Sequence, residues 1–334
     1  MGKIEAEKLA VILPCFNEQE VLPDTLRILS GFLAELIREN RVSADSIILA
    51  VDDGSTDRTW EIIRNSSQSG SSGPVRGISL SRNFGHQYAI LAGLFTCDAD
   101  LMVTLDADLQ DDYRCIREMV EHYRRGCDIV YGVRKKRETD SFFKRTSARM
   151  FYRLMTFLGC RIIPDHADFR LMSRRAVETL RQFPERNVFL RGMIPLIGGK
   201  SAVVYYDRRK RTAGVSKYPL GKMLSFAWDG ITSMSEKPIA LIAQFGLFLM
   251  LICLFLAGYC IVQKFWGYTV PGWTSLCMIL CGFSAIQFLA ISIVGQYVGK
   301  IYKECKARPL FIVQDFSGSF PEKSFSSSKT DEKK

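Results

Sequence analysis

LAVILPCFNE, residues 9–18, sets how the rest of the chain reads. Leu9–Leu13 is an unbroken apolar run that predicts a strand, and Pro14-Cys15-Phe16-Asn17-Glu18 is the turn that closes it. Leu22, Leu26, Leu29, Leu33, Leu36 and Ile37 then recur at three- to four-residue spacing and predict an amphipathic helix. The unit repeats. Ile47–Val51 predicts a second strand ending in Asp52-Asp53-Gly54-Ser55-Thr56-Asp57, and Ser66–Pro74 reads as a flexible surface loop. Val75–Leu80, Leu101–Leu105 and Asp128–Gly132 predict further strands, with a helix near His86–Phe95. Alternation of this kind predicts an α/β fold with a parallel sheet and right-handed crossovers. Ligands in such sheets bind beyond the carboxyl ends of the strands, where three of these polar clusters fall.

Hydrophobic residues make up 47% of the 334 and charged residues 24%, which excludes wholesale disorder. The distribution is uneven. From Pro238 to Gly299 the only charged residue is Lys264. A soluble domain followed by membrane segments accounts for that asymmetry. Net charge is +10, from 45 Lys+Arg against 35 Asp+Glu. Beside membrane segments, such a balance suits anionic lipid or phosphorylated substrates, and no nucleic-acid partner is expected. The ten cysteines are scattered without a CxxC pair or Cys/His cluster. They predict reduced thiols rather than a zinc site or a disulfide framework. MGKIEAEKLAVILP does not read as a signal peptide, because its apolar run is short and enters a strand pattern.

Ile239–Gln263 has 25 residues without a charge, long enough to cross a hydrocarbon core of about 30 Å. Trp273–Val298 is a second candidate span. Lys217, Lys222 and Lys237 precede the first, and Lys300, Lys303, Lys306 and Arg308 follow the second. The positive-inside rule then puts the main domain and both termini in the cytoplasm. Residues 140–158 carry an apolar face and the basic stripe Arg145, Arg149, Arg153. The pattern fits a helix lying on a membrane surface and, equally, an ordinary domain helix with a solvated face. Residues 216–237 repeat the theme just before the first span. The tail after Phe316, rich in Ser and Lys, predicts disorder.

Asp106-Ala107-Asp108-Leu109-Gln110 follows the strand Leu101–Leu105. Two carboxylates one residue apart at a strand end can share a divalent ion with a diphosphate, since Mg²⁺ and Mn²⁺ favour hard oxygen ligands. Asp52–Asp57 can be a turn with Ser55 or Thr56 capping the next helix, or its carboxylates can receive a base or ribose.

Taken together, LPCFNE (13–18), VDDGSTD (51–57), SRNFGHQYAILAG (81–93) and TLDADLQDD (104–112) resemble glycosyltransferase family 2. ADFRLMSRR (167–175), RTAGVSKYPLGK (211–222) and the ARPLFIV end (307–313) resemble its branch acting on polyprenyl phosphates, of the bactoprenol glucosyltransferase and dolichol-phosphate mannosyltransferase type. The resemblance implies a GT-A, Rossmann-like cytoplasmic domain over residues 1–215. A juxtamembrane amphipathic helix (216–237), two transmembrane helices within 238–299 and a cytoplasmic tail (300–334) follow. It implies inverting, metal-dependent transfer of a sugar, glucose from UDP-glucose, to undecaprenyl phosphate at the inner membrane, by a homo-oligomer. Mannose, a modified arabinose or an N-acetylated sugar is the alternative cargo, and a non-catalytic scaffold the alternative role. Pro14, Phe16, Glu18 and Asp52 are implied to contact the nucleoside, and Asp106 its ribose or the metal. Asp108 and Gln110 are implied to hold Mg²⁺ or Mn²⁺ with Asp106. Asp168 falls near the reacting centre and Arg134 near phosphate. Arg211, Ser216 and Lys217 are implied in a loop closing over the diphosphate. The sequence departs from its relatives at Asp111-Asp112, where prolines are usual, and at Ala148, where Ser is common. The acceptor phosphate is therefore assigned to Lys144, Arg145, Ser147 or Arg149.

Overall fold

The computed structural model describes residues 6–68, 74–135, 166–207, 231–233, 235–266 and 272–320. Two compact units emerge, one built on a sheet and one on two long helices.

The sheet unit begins as the sequence predicts. β1 (Leu9–Cys15) and β2 (Ile47–Asp52) are buried along their whole length. A parallel sheet covered on both faces requires such continuous apolar runs. Between them α1 (Leu22–Arg38) buries Leu22, Leu26, Leu29, Leu33 and Leu36. Pro23 sits in its first turn, where a missing N–H costs nothing, and Asp24 and Arg38 suit the dipole at their respective ends. α2 (Thr59–Gln68), β3 (Val75–Leu80), α3 (His86–Thr96), β4 (Leu101–Thr104), α4 (Ile116–Arg124) and β5 (Ile129–Arg134) continue the alternation. α3 approaches β1 so closely that a Cβ at Gly93 would lie 2.4 Å from Ile12 Cγ2, so only glycine fits there.

The sheet is mixed rather than parallel throughout, with strand order β7-β5-β6-β4-β1-β2-β3-β8. β6 (His166–Ser173) inserts antiparallel between β4 and β5, with Thr104 opposite Arg170 and Tyr131 opposite Arg170 on its other side. β7 (Ser201–Tyr206) runs parallel to β5 at one edge, after the short helices α5 (Arg174–Arg181) and α6 (Leu190–Met193). β8 (Val313–Ser317) pairs antiparallel with β3 at the other edge. The sequence carried this last stretch within the tail that follows the spans. Val-Gln-Asp-Phe-Ser has too little apolar character to announce a strand, and it becomes one because β3 offers an unpaired edge.

The second unit holds α7 (Lys237–Phe265) and α8 (Trp273–Lys306). Among the described residues Gly282–Lys306 is long and apolar enough to cross a membrane, and Lys237–Ile252 is a shorter apolar stretch. Tyr297 Oη donates to the Ser235 carbonyl at 2.6 Å, and Lys300 Nζ to Ser233 Oγ at 2.7 Å. The expected surface helix at 140–158 and most of the 216–237 segment lie outside the described residues, as do Lys144, Arg145, Ser147, Arg149, Arg211, Ser216 and Lys217.

A chain ending at Ile312 is expected to lose several kcal/mol of stability in the sheet unit, at about 1 kcal/mol for each ladder hydrogen bond given up. Amide exchange at Gly77–Leu80, which face β8, should accelerate in that truncation, as measured by hydrogen–deuterium exchange.

Candidate active site

The loops after β1 and β2 are stitched into one wall. Asn17 N–H donates to Ser55 Oγ at 3.0 Å, Thr56 N–H to Asn17 Oδ1 at 2.9 Å and Glu18 N–H to Thr59 Oγ1 at 2.9 Å. Asp53 N–H reaches the Cys15 carbonyl at 2.9 Å. The segments assigned to the nucleoside therefore do meet. Pro14 and Asp52 are buried, Glu18 is half-buried and Phe16 is exposed. The start of α2 differs from expectation. Asp57, not Ser55 or Thr56, accepts from the Thr59 N–H, at 2.9 Å. Ser55 instead accepts the Asn17 N–H with its Oγ and donates its own N–H to Asp52 Oδ1 at 3.2 Å. Burial pushes the Asp52 carboxyl up, against the hydrogen bonds from Ser55 and Ser79.

Asp53 has a different task. Its two carboxylate oxygens accept the N–H groups of Phe84 and Gly85, at 2.8 and 2.9 Å, just ahead of α3. The turn that presents it needs Gly54, whose φ is +66°. A Cβ there would lie 2.3 Å from the Arg82 carbonyl carbon. Asp53 and Gly54 thus fix where α3 starts, and α3 starts with His86.

Because β6 runs antiparallel to β4, its beginning lies beside the end of β4. Asp168 is thereby brought to Asp106, 62 residues earlier, and His86 stands near both. His86 Nε2 is 3.5 Å from Asp106 Oδ1 and 3.7 Å from Asp168 Oδ2. Two arginines converge on the same carboxylate. Arg170 Nη2 donates to Asp168 Oδ1 at 2.5 Å, and Arg191 Nη2 to Oδ2 at 3.1 Å. Thr104 Oγ1 donates to the Asp168 carbonyl. Burial works against the charge on Asp168. His86 and both guanidiniums outweigh it and hold the carboxyl well below the usual range. Asp106 goes the other way. Desolvation pushes its carboxyl up to about 6, His86 opposes, and Asp111, Asp168 and Asp108 add to the rise. Desolvation disfavours the charged His86 ring, but Asp168 and Asp106 prevail and raise its pKa.

Asp108 Oδ1 accepts the Gln110 N–H at 3.2 Å, and the Gln110 side chain is buried. Among the described residues no three His, Cys, Asp or Glu side chains gather as a ready metal cage. A pair of carboxylates whose neighbours crowd them with negative charge nonetheless fits a divalent cation that takes its other oxygens from water and substrate. Arg134 ends β5, and its Nη2 and Nε donate to Asp111 Oδ1 at 3.0 and 3.3 Å while Nε also reaches Tyr206 Oη at 3.3 Å. Asp111 is buried.

Sequence reasoning missed Arg191, Asp111 and Tyr206 as neighbours of the site. Arg170 alone left a signal: it alternates with Asp168 along a strand that is otherwise largely apolar, so both point the same way.

The family described as glycosyl transferase family 2 matches residues 10–181. The chain is 47% identical over 307 residues to the uncharacterized glycosyltransferase YkoT of Bacillus subtilis, covering 91% of this chain and 90% of the relative. It is 34% identical over 309 residues to the bactoprenol glucosyl transferase of Shigella phage SfX, covering 92% and 99%. The crystal structure of glucosyl-3-phosphoglycerate synthase from Mycobacterium tuberculosis is similar at 18% identity and a TM-score of 0.45, covering 68% of this chain and 79% of that one. The chain belongs to glycosyltransferase family 2.

Because Asp168 titrates at a depressed value, its ion pairs stabilise the fold at every pH above the unfolded carboxyl value of about 4. They are lost as acid carries the pH down through the folded value. Asp168→Ala is expected to cost about 3–5 kcal/mol at neutral pH, since Arg170 would stay buried without its counter-charge. Urea unfolding across the acid range should also show a shallower loss of stability in the variant. Gly54→Ala should cost at least about 1–2 kcal/mol for the positive φ alone, read by the same denaturation.

Proposed function

We propose that the protein transfers a hexose, glucose from UDP-glucose, to undecaprenyl phosphate at the cytoplasmic face of the inner membrane, with inversion at the sugar. The observation that carries this reading is the meeting of Asp106 and Asp168 at one sheet edge with Arg191 on the same carboxylate. Acid able to hold a cation and base able to hold phosphate stand together there. The acceptor is argued from relatives named bactoprenol glucosyl transferase and from the apolar helices.

Asp106 and Asp108, with Gln110, would hold Mg²⁺ or Mn²⁺. Such an ion supplies charge neutralisation for the departing nucleoside diphosphate. Pro14, Phe16, Glu18 and Asp52 would line the nucleoside, and Arg211, Ser216 and Lys217 would close over the diphosphate. A phosphomonoester has its second pKa near about 6, so the attacking oxygen is largely anionic at neutral pH. No strong base is needed. Asp168 suits that economy: ionised and held by two guanidiniums, it orients a partner rather than removing a proton. Arg134 would neutralise phosphate beside it, and Lys144, Arg145, Ser147 and Arg149 would receive the acceptor head group.

We take α7 and α8 as a pair of spans. β7 and β8 belong to one sheet although both helices lie between them in sequence, which supports an even number of crossings with the catalytic domain and both termini on one side. Lysines flanking the apolar stretches support the cytoplasm as that side. A homo-oligomer is part of the proposal.

The test is incubation of purified full-length protein with undecaprenyl phosphate, Mg²⁺ or Mn²⁺, and a panel of sugar nucleotides. Glucose is expected on the lipid from UDP-glucose. Transfer of another sugar would redirect the donor, and no transfer from any donor would sink the reading. Asp108→Asn should reduce transfer by at least about a hundredfold. Arg145→Ala with Arg149→Ala should raise the KM for lipid and leave nucleotide affinity within about twofold, because a phosphate contact touches only its own ligand.

A further inference from the structure

Arg191 stands on α6, and α3 fixes α6 in place. The Leu190 N–H donates to Gln87 Oε1 at 2.7 Å, and Tyr88 Oη donates to the Arg186 carbonyl at 2.9 Å. The three residues that open α3 therefore serve one purpose. His86 reaches Asp106 and Asp168, while Gln87 and Tyr88 hold the segment that delivers Arg191 to the same place.

Arg191 and Arg134 are built alike. Arg191 gives Nη2 and Nε to the two oxygens of Asp168, at 3.1 and 3.3 Å. Arg134 gives the same two atoms to Asp111 Oδ1, at 3.0 and 3.3 Å. In each pair the carboxylate is the sequestered member, with side-chain exposures of 14% for Asp168 and 1% for Asp111. The arginines are the open members, at 34% and 32%. The two cations also share one end of the sheet: Arg134 closes β5, whose Val133 pairs with His166 at the start of β6, and Asp168, which holds Arg191, lies two residues further along β6. Desolvation and the Arg134 charge both work against protonated Arg191, and Asp168 and Asp106 overcome them. Like charges at one end of the sheet, partly exposed and each neutralised from behind, are completed by a multivalent anion in front. Guanidinium forks match the oxygens of a phosphate as they match those of a carboxylate.

We propose that Arg191 and Arg134 form a two-arginine clamp for a phosphate group of the reaction, with Asp168 and Asp111 as the buried counter-ions that aim them. The proposal rests on the glycosyl-transfer reading for the source of that phosphate, which is either the donor diphosphate or the acceptor monophosphate. Arg191 is the new member. Nothing in its sequence surroundings marks it, and only the fold brings it to Asp168.

The experiment uses the full chain in detergent, as wild type, Arg191→Ala and Arg191→Lys. Affinities are measured by calorimetry for UDP against uridine, with Mn²⁺, and for farnesyl phosphate against farnesol. Arg191→Ala is expected to weaken one of the two phosphate ligands by about tenfold to a hundredfold, the range for a charge-assisted contact, and to leave uridine and farnesol unchanged. Loss confined to UDP assigns the clamp to the donor, and loss confined to farnesyl phosphate assigns it to the acceptor. Arg191→Lys keeps a cation on Asp168, and hence the fold, but lacks the fork. It should lose most of the same affinity, and it reads the clamp if the alanine variant does not fold. Unchanged affinity for both phosphate ligands, with only kcat reduced, overturns the clamp and leaves Arg191 a positioning residue for Asp168. Wild type that binds both phosphate ligands yet transfers no sugar refutes the functional reading alone, because the clamp is judged on affinities. Wild type that binds neither phosphate ligand overturns the clamp as well.

Discussion

The Asp168 carboxylate holds the site together. It is little exposed, it remains charged, and it is reached from three directions: by Arg170 from its own strand, by Arg191 from α6 and by His86 from the start of α3. A buried charge survives only when its partners compensate for the loss of water. Here the partners come from segments far apart in sequence, so satisfying one carboxylate also fixes three pieces of backbone. Asp106 sits within the same group, and its carboxyl is raised first by desolvation and then by the negative charge of Asp111, Asp168 and Asp108 gathered at the end of β4. Such crowding is unfavourable in isolation and becomes useful where a cation is to be held.

A second tier of contacts serves this centre without touching it. Asp53 binds the backbone ahead of α3, Gly54 lets the turn carrying Asp53 pass close to Arg82, and Gln87 holds the first N–H of α6. The DDGSTD motif therefore divides its labour. Asp52 and Ser55 shape the wall shared with Asn17 and Glu18, Asp53 places His86, and Asp57 starts α2. Carboxylates that look equivalent in the sequence differ because one faces the wall, another faces backbone N–H groups and the third faces a helix terminus.

Much of the fold was legible from β1 to β5, because buried parallel strands and amphipathic helices write their periodicity directly into the chain. The acidic turn at 106–108 and the loops that form the wall after β1 and β2 were legible for the same reason: each follows a strand whose end the hydrophobic pattern locates. β6 and β8 were not. β6 contains Arg170, a charge that no apolar pattern anticipates and that the strand tolerates because Asp168 lies two residues away on the same face. β8 is short, polar and an edge strand, and its pairing with β3 spans more than two hundred residues.

The chain's own order of residues determined the strand–helix alternation, the carboxylates at the strand ends and the long uncharged stretch after Pro238, since each depends on neighbours close in sequence. Tertiary structure alone decided that β6 runs antiparallel and so sets Asp168 beside Asp106, that Arg191 and Arg170 share one carboxylate, and that Asp111 stands behind Arg134. Those outcomes turn on which distant charges can compensate one another once water is removed, and local sequence carries no record of that.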